Sequence, residues 1–309
     1  VRRREFVGAL GLGLAGVRMP WRGNMDGGTF VERRSWAMGQ PVRLQLFAVD
    51  EAAGFEAAQH AFAELRRVEA VLSLFDEASD LCEVNRRAGS GGVRAGQDLV
   101  DVLQAGLRFE RVTGGAFNPA VEPLMRAWGF HAPRSSEPSA GEIAEAREAV
   151  QAARIVIDGE RVALPVTGTE LDCGGIGVGY GIDRAIGVLR RAGIRRAFLD
   201  VSGDCFALGA PPGERGWRVG VADPHRPGEE AASTRLRDLA IATSSNSVSV
   251  VRYGRAVRGH VMNTVTGWPA TARTQVTVVA RTGVEADALS TAMLVSGALP
   301  PGVLRSYTA

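Results

Sequence analysis

The sequence predicts an α+β fold, organised as one two-lobed domain. Three observations predict it. Apolar patterns of period two and of period three to four are interspersed without a strict strand–helix–strand alternation. From Trp36 onward no internal repeat and no long linker divides the chain. The composition, 45% hydrophobic and 23% charged over 309 residues, is that of a globular chain and excludes a disordered or fibrous one.

Each element follows from local pattern. Val42 to Val49 alternates apolar and polar residues, as a half-buried strand does, and Asp50 is placed to cap the next helix. Phe55, Ala58, Phe62, Leu65, Val68 and Leu72 recur at three- and four-residue spacing and give that helix one apolar face. A second helix is expected over Leu99 to Val112, ending at Gly114-Gly115. Prolines and serines make Ala132 to Ala140 a loop, and an Ala/Glu-rich helix follows to about Ala153. Ile155 to Ile157 and Arg161 to Leu164 flank Asp158-Gly159, a hairpin signature. A helix from Tyr180 to Ala192 is stopped by Gly193. Short strands are expected near 196–201, 217–222, 248–253 and 275–280, and a closing helix begins near Val284.

Several classes of function are excluded early. A formal net charge of +2 implies no strong field for polyanions, so nucleic-acid binding is not indicated. The chain contains no lysine, which removes Schiff-base chemistry, a pyridoxal-phosphate lysine and a phosphate-loop lysine. Cys82, Cys173 and Cys205 are scattered, so neither a disulfide framework nor a zinc knuckle is expected. After the N-terminal segment no stretch reaches about 18 consecutive apolar residues. The start, Arg2-Arg3-Arg4-Glu5-Phe6-Val7 followed by an apolar, glycine-rich run to Val17, reads as a twin-arginine export signal. Residues 1–28 are therefore expected to be an address, 29–309 the working domain, and the location periplasmic.

Four clusters have chemical potential. Asp172 to Asp183 holds five glycines before a helix; such a turn lets backbone approach an anion, or is simply a tight structural loop. Asp172 and Asp183 suit a ligand bearing hydroxyls or a metal. Asp287 and Thr291, four apart on one helix face, are hard oxygen ligands for Mg²⁺ or Ca²⁺, or else serve the helix dipole and fill a gap. Thr282 and Glu285 ahead of them form a capping-box pattern. His260, entering a turn rich in Thr, Asn and Gly, is either an acid–base group or a hydrogen-bonded turn residue. Aromatic residues around Gly115 to Asn118 and Trp128 to Phe130 stack on a flat ligand or pack as core.

The order of the clusters is more specific than any one of them. Trp36 to Gly39, Leu72 to Phe75, Gly115 to Phe130, Leu171 to Asp183 and Ser202-Gly203-Asp204 occur in sequence. Trp217 to Pro224, Ala242-Thr243-Ser244, His260 to Pro269 and Ala286 to Gly297 complete the series. In these the chain resembles the ApbE family, the FAD:protein FMN transferases, over nearly all its length beyond the export signal. The resemblance implies a flavin nucleotide held between the lobes. It implies Mg²⁺-dependent cleavage of FAD, attachment of FMN to a Thr or Ser of an exported or membrane redox protein, and release of AMP. It carries flavin-nucleotide contacts onto Met38, Phe75, Ala116, Phe117, Asn118, Asp172, Val178 and Met262, beside the flanking Asp183. It carries the metal site onto Asp287, Thr291 and a backbone oxygen at Gly175. His260 is the candidate base for the incoming hydroxyl.

The chain departs from the family pattern at five points. Val178 stands where Lys or Glu is usual, Asn118 where Asp is usual, and Asn263-Thr264 where Asp-Pro is usual. Ser245 ends the Thr-Ser-Gly pattern, and Phe75 lacks the hydroxyl of the common Tyr. Two rival readings share the FAD site: a pyrophosphatase releasing FMN and AMP, and an FAD-binding accessory protein whose catalysis has decayed.

Overall fold

The computed structural model describes residues 28–226, 228–271, 274–298 and, as backbone alone, 305–308. The expected export signal, apart from Gly28, lies outside the described residues. The first hairpin pairs β1 (Thr29–Ala37) with β2 (Gln40–Ala48), and α1 (Glu51–Leu72) follows. Asp50 caps α1 as expected, its Oδ1 accepting from the Ala53 amide at 2.8 Å. Then come α2 (Asp80–Arg86), β3 (Val93–Arg94), α3 (Gln97–Val112), α4 (Glu122–Ala127) and α5 (Ala140–Ala152). The expected hairpin is β4 (Val156–Asp158) and β5 (Arg161–Ala163), with Gly159 in the left-handed region at φ +56°.

The second half runs α6 (Gly177–Arg191), β6 (Ala197–Val201), β7 (Asp204–Leu208), β8 (Trp217–Ala222) and β9 (Glu230–Leu236). It continues through β10 (Leu239–Ser245), β11 (Val250–Tyr253), β12 (Ala256–Gly259), β13 (Met262–Asn263) and β14 (Trp268–Pro269). It closes with β15 (Gln275–Ala280), α7 (Gly283–Ser296) and β16 (Arg305–Thr308).

Seven strands form one antiparallel sheet in the order β1-β2-β6-β7-β10-β15-β16. Its two faces are read by the period-two rule. Ala197, Leu199 and Val201 of β6 join the main core with α1, α3, α6 and α7, while Phe198 between them joins a second cluster. That second cluster is closed by the β8–β9 ribbon, whose Trp217 packs on Phe47 and Phe198. A third cluster, around Trp128, gathers α4, α5 and Met262. The α+β class and the single domain expected from sequence are what the chain adopts.

Two differences from the sequence reading have physical causes. The strand β1 begins at Thr29, before Trp36, from which the sequence predicts a continuous pattern, and it is paired over its whole length with β2. The helix α6 begins at Gly177, three residues before Tyr180, so Gly177 and Gly179 are helical rather than loop. Their lack of a side chain serves packing. A Cβ on Gly179 would fall inside van der Waals contact of the Gly283 carbonyl oxygen, and one on Gly283 would strike the Gly179 oxygen. The glycine pair lets α6 and α7 approach backbone to backbone, which no larger residue permits.

Candidate active site

The α6–α7 contact sets the position of Asp287. Its Oδ2 accepts from the Gly179 amide at 3.0 Å, and burial pushes its carboxyl upward. Asp204, the first residue of β7, lies within its electrostatic reach and is also pushed up, by burial first and by Asp287 second. Asp204 Oδ1 accepts from the Thr243 amide at 3.0 Å. Among the described residues, no cation is named among the groups acting on either carboxylate. A buried and a half-buried carboxylate without a compensating cation are costly unless one is neutral or a cation joins them.

Hydroxyls surround this pair. Ser244 Oγ on β10 lies 2.7 Å from Ser290 Oγ and 3.2 Å from Thr291 Oγ1, one turn beyond Asp287 on α7. Gly175 meets them from the other side: a Cβ there would sit 3.2 Å from Thr291 Oγ1 and 3.3 Å from a Phe117 ring carbon. The predicted metal residues Gly175, Asp287 and Thr291 are thus brought together, with Ser244 and Asp204 beside them. Sequence reading assigned neither of the latter a role, although both lie inside family motifs. The donor set, carboxylates and hydroxyls without nitrogen or sulfur, fits a hard cation such as Mg²⁺.

The other predicted residues take varied places. Met38 occupies the two-residue β1–β2 turn at φ +56°, a conformation held by Glu69, whose carboxylate accepts from the Met38 and Gly39 amides. Its thioether packs 3.6 Å from where a Gly181 Cβ would be. Phe75 is 67% exposed just after α1, and His131 meets it in a T-shaped contact at 5.5 Å. Ala116 is half-buried against the core, and Phe117 is buried edge-on to Phe109. Asn118 Oδ1 accepts from the Ala120 amide at 2.8 Å, a local turn bond that its carboxamide makes as an acid would. Val178 packs half-buried in the first turn of α6.

Asp172 Oδ1 accepts from the Gly174 amide at 2.6 Å, while its own amide donates to the Pro119 oxygen. Asp183 caps α7: its two oxygens accept from the Gly283 and Val284 amides at 2.7 and 3.0 Å. Thr282 accepts from the Glu285 amide, the expected first half of a cap, while Glu285 approaches Arg108 at 3.7 Å. Met262 is buried in the Trp128 cluster. His260 is pushed down by burial, which makes it a neutral imidazole at neutral pH, within reach of Asp172 and His131.

A cavity of about 710 Å³ lies next to this line of residues rather than on it. It is walled by Asn246, Arg258, Asn263, Trp268 and Val295 among others, one position from His260 and from Met262.

Fold and site together define an α+β enzyme domain, in which a glycine segment runs between a buried oxygen-donor centre and a histidine-bearing wall. Comparison gives the family. A family model described as the ApbE family matches residues 38–300. The chain is 30% identical over 283 residues to the FAD:protein FMN transferase of Treponema pallidum (strain Nichols), covering 86% of this chain and 78% of the relative. It superposes on the crystal structure of the ApbE protein from Thermotoga maritima with a TM-score of 0.79 at 28% identity, covering 86% and 87% of the two chains. The apo flavinyl transferase ApbE of Pseudomonas stutzeri gives 0.76 at 25% identity, covering 86% and 84%. The chain belongs to the ApbE family, and it is a transferase enzyme of that family.

Proposed function

We propose that this enzyme is a Mg²⁺-dependent FAD:protein FMN transferase that cleaves FAD, attaches FMN through a phosphoester to a Thr or Ser hydroxyl of an acceptor protein, and releases AMP. The observation that carries this reading is the pair of buried Asp287 and half-buried Asp204, beside Ser244, Ser290, Thr291 and Gly175 and with no cation among the described groups acting on it. Its charge balance calls for a ligand cation. Asp287, Thr291 and the Gly175 backbone would hold Mg²⁺, with Asp204 behind Asp287. Bound there, the ion supplies Lewis-acid neutralisation of a pyrophosphate.

The protein groups do the rest. The α6 N-terminus directs its helix dipole towards an anion at the glycine segment. Met38 and Phe75 offer apolar surface to the flat rings of FAD. His260, neutral and half-enclosed, is in the protonation state needed to accept the proton of an incoming hydroxyl. The acceptor we place in the periplasm or membrane, as an electron-transfer protein met by this enzyme after export; the N-terminal arginine motif supports that location.

The test is direct. Mature protein is incubated with FAD and Mg²⁺, with and without a threonine-bearing acceptor domain, and AMP release and acceptor mass are followed. An FMN-sized gain on the acceptor is the expected result. AMP without that gain makes the enzyme a pyrophosphatase, and intact bound FAD across several acceptors and metals makes it an accessory protein.

A further inference from the structure

Away from the Asp287 seam, four titratable side chains from separate segments converge. Glu122 opens α4, His131 follows that helix, Asp172 precedes the glycine segment, and His260 follows β12. One ligand atom from each of Glu122, His131 and Asp172 lies within 4.8 Å of the others. Glu122 is fully buried, and His131 Nδ1 sits 2.6 Å from its Oε2. His260 Nδ1 is buried without a hydrogen-bond partner among the described residues, and the ring stands 6.4 Å from Phe130. Asp172 and His131 both act electrostatically on that imidazole.

The charge count around the cluster is negative. Among the described residues, Arg126 is the guanidinium named as acting on Glu122 and His131, at 2.9 Å from Glu122 Oε1, and Glu170 also engages it at 2.6 Å. Three carboxylates therefore face one fixed cation, with two imidazoles between them. One of these imidazoles has a buried nitrogen lone pair or proton with nowhere to go.

We propose that Glu122, His131 and Asp172 form a second metal site, for a divalent transition ion such as Zn²⁺ or Mn²⁺, beside the unpartnered His260 imidazole. Donor chemistry separates it from the Asp287 centre. That centre is all oxygen, and suits a hard cation; this one mixes imidazole with carboxylate, the set that favours borderline ions. At metal–ligand distances of about 2.1 Å, tetrahedral donors stand about 3.5 Å apart. The three groups are inside the range from which modest side-chain motion reaches that spacing. The ion takes the place of the proton between His131 Nδ1 and Glu122 Oε2, so binding releases a proton. The site uses neither Asp287 nor Thr291, but it shares Asp172 and His260 with the transferase reading, so its readout is metal binding rather than transfer.

Co²⁺ is the probe, because its visible d–d absorption reports coordination. Metal-stripped full-length protein is titrated with Co²⁺ under saturating Mg²⁺, and bound metal is counted after dialysis. The expected result is one retained equivalent with visible bands. His131→Ala and the isosteric Glu122→Gln each weaken it by about 10- to 100-fold or more, and Asp287→Ala leaves it unchanged. Circular dichroism confirms that each variant is folded. Absence of a retained equivalent in the unsubstituted protein overturns the proposal. So does equal retention by folded His131→Ala, or loss in Asp287→Ala.

Discussion

The Asp287 seam and the His131 wall both take carboxylates out of water, and they answer the cost differently. At the seam, Asp287 and Asp204 receive one backbone amide each and no cation, so burial drives both upward. At the wall, Glu122 is also raised by burial, but His131 hydrogen-bonds it and Arg126 pairs with it. His131 is held up in return: burial lowers it, and the Glu122 bond with the Asp172 and Glu122 charges outweighs that. The seam has no cationic partner among the described groups acting on it, whereas the wall is offset in part by Arg126 and His131.

The largest expected effect would break the seam. Asp287→Ala should lower Mg²⁺-dependent AMP release from FAD by about 10³-fold, the scale of several kcal/mol of charge stabilisation, with the far-ultraviolet dichroism unchanged. Activity retained in full would remove Asp287 from the metal site. The geometry beneath it is tested by Gly179→Ala, whose methyl collides with the Gly283 carbonyl and presses on Asp287. Overpacking there should cost about 3 kcal/mol or slightly more in denaturant unfolding.

His260→Ala sharpens the comparison from the other side. As the proton acceptor it should slow FMN transfer by about 10² while leaving Mg²⁺ binding intact, measured by single-turnover transfer and thermal shift with and without Mg²⁺. An unaltered rate returns His260 to a structural role.

The smallest effect is a pH dependence. Burial first, against the Gly283 and Val284 amides, pushes Asp183 up to about 6 from an ordinary 3.8. A carboxyl raised by folding favours its protonated form in the native state. Its contribution to stability is therefore present at low pH and is lost as pH rises from about 4 through about 6. Across that window, Asp183→Asn should gain on the unsubstituted protein by about 2 kcal/mol or less, read from urea midpoints at each pH. A constant gap would show that the cap carries no titration.

Much of the fold was legible because its signals are local. The helical face from Phe55 to Leu72, the Asp50 cap and the Asp158-Gly159 hairpin depend on neighbours within a few residues, and each is found where expected. Strand β10 was not picked out, since Leu239 to Ser245 reads as a small, half-polar run; its burial between β7 and β15 is a property of the sheet. The site was legible only as ordered motifs. The pairing of Asp204 with Asp287 joins β7 to α7, and nothing in either segment names the other.

The glycines show the division most clearly. Sequence alone determined that residues 172–181 are glycine-rich, that a helix follows, and that the motif order is that of the ApbE family. Tertiary structure decided that Gly179 and Gly283 exist to let two helices touch, which carries Asp287 to the Gly179 amide and Thr291 to Gly175. It also decided that Glu122, His131 and Asp172 share one pocket. Propensity and capping act over one or two turns of chain, whereas desolvation and charge pairing act through space. Only the folded arrangement fixes which distant groups must share the loss of water.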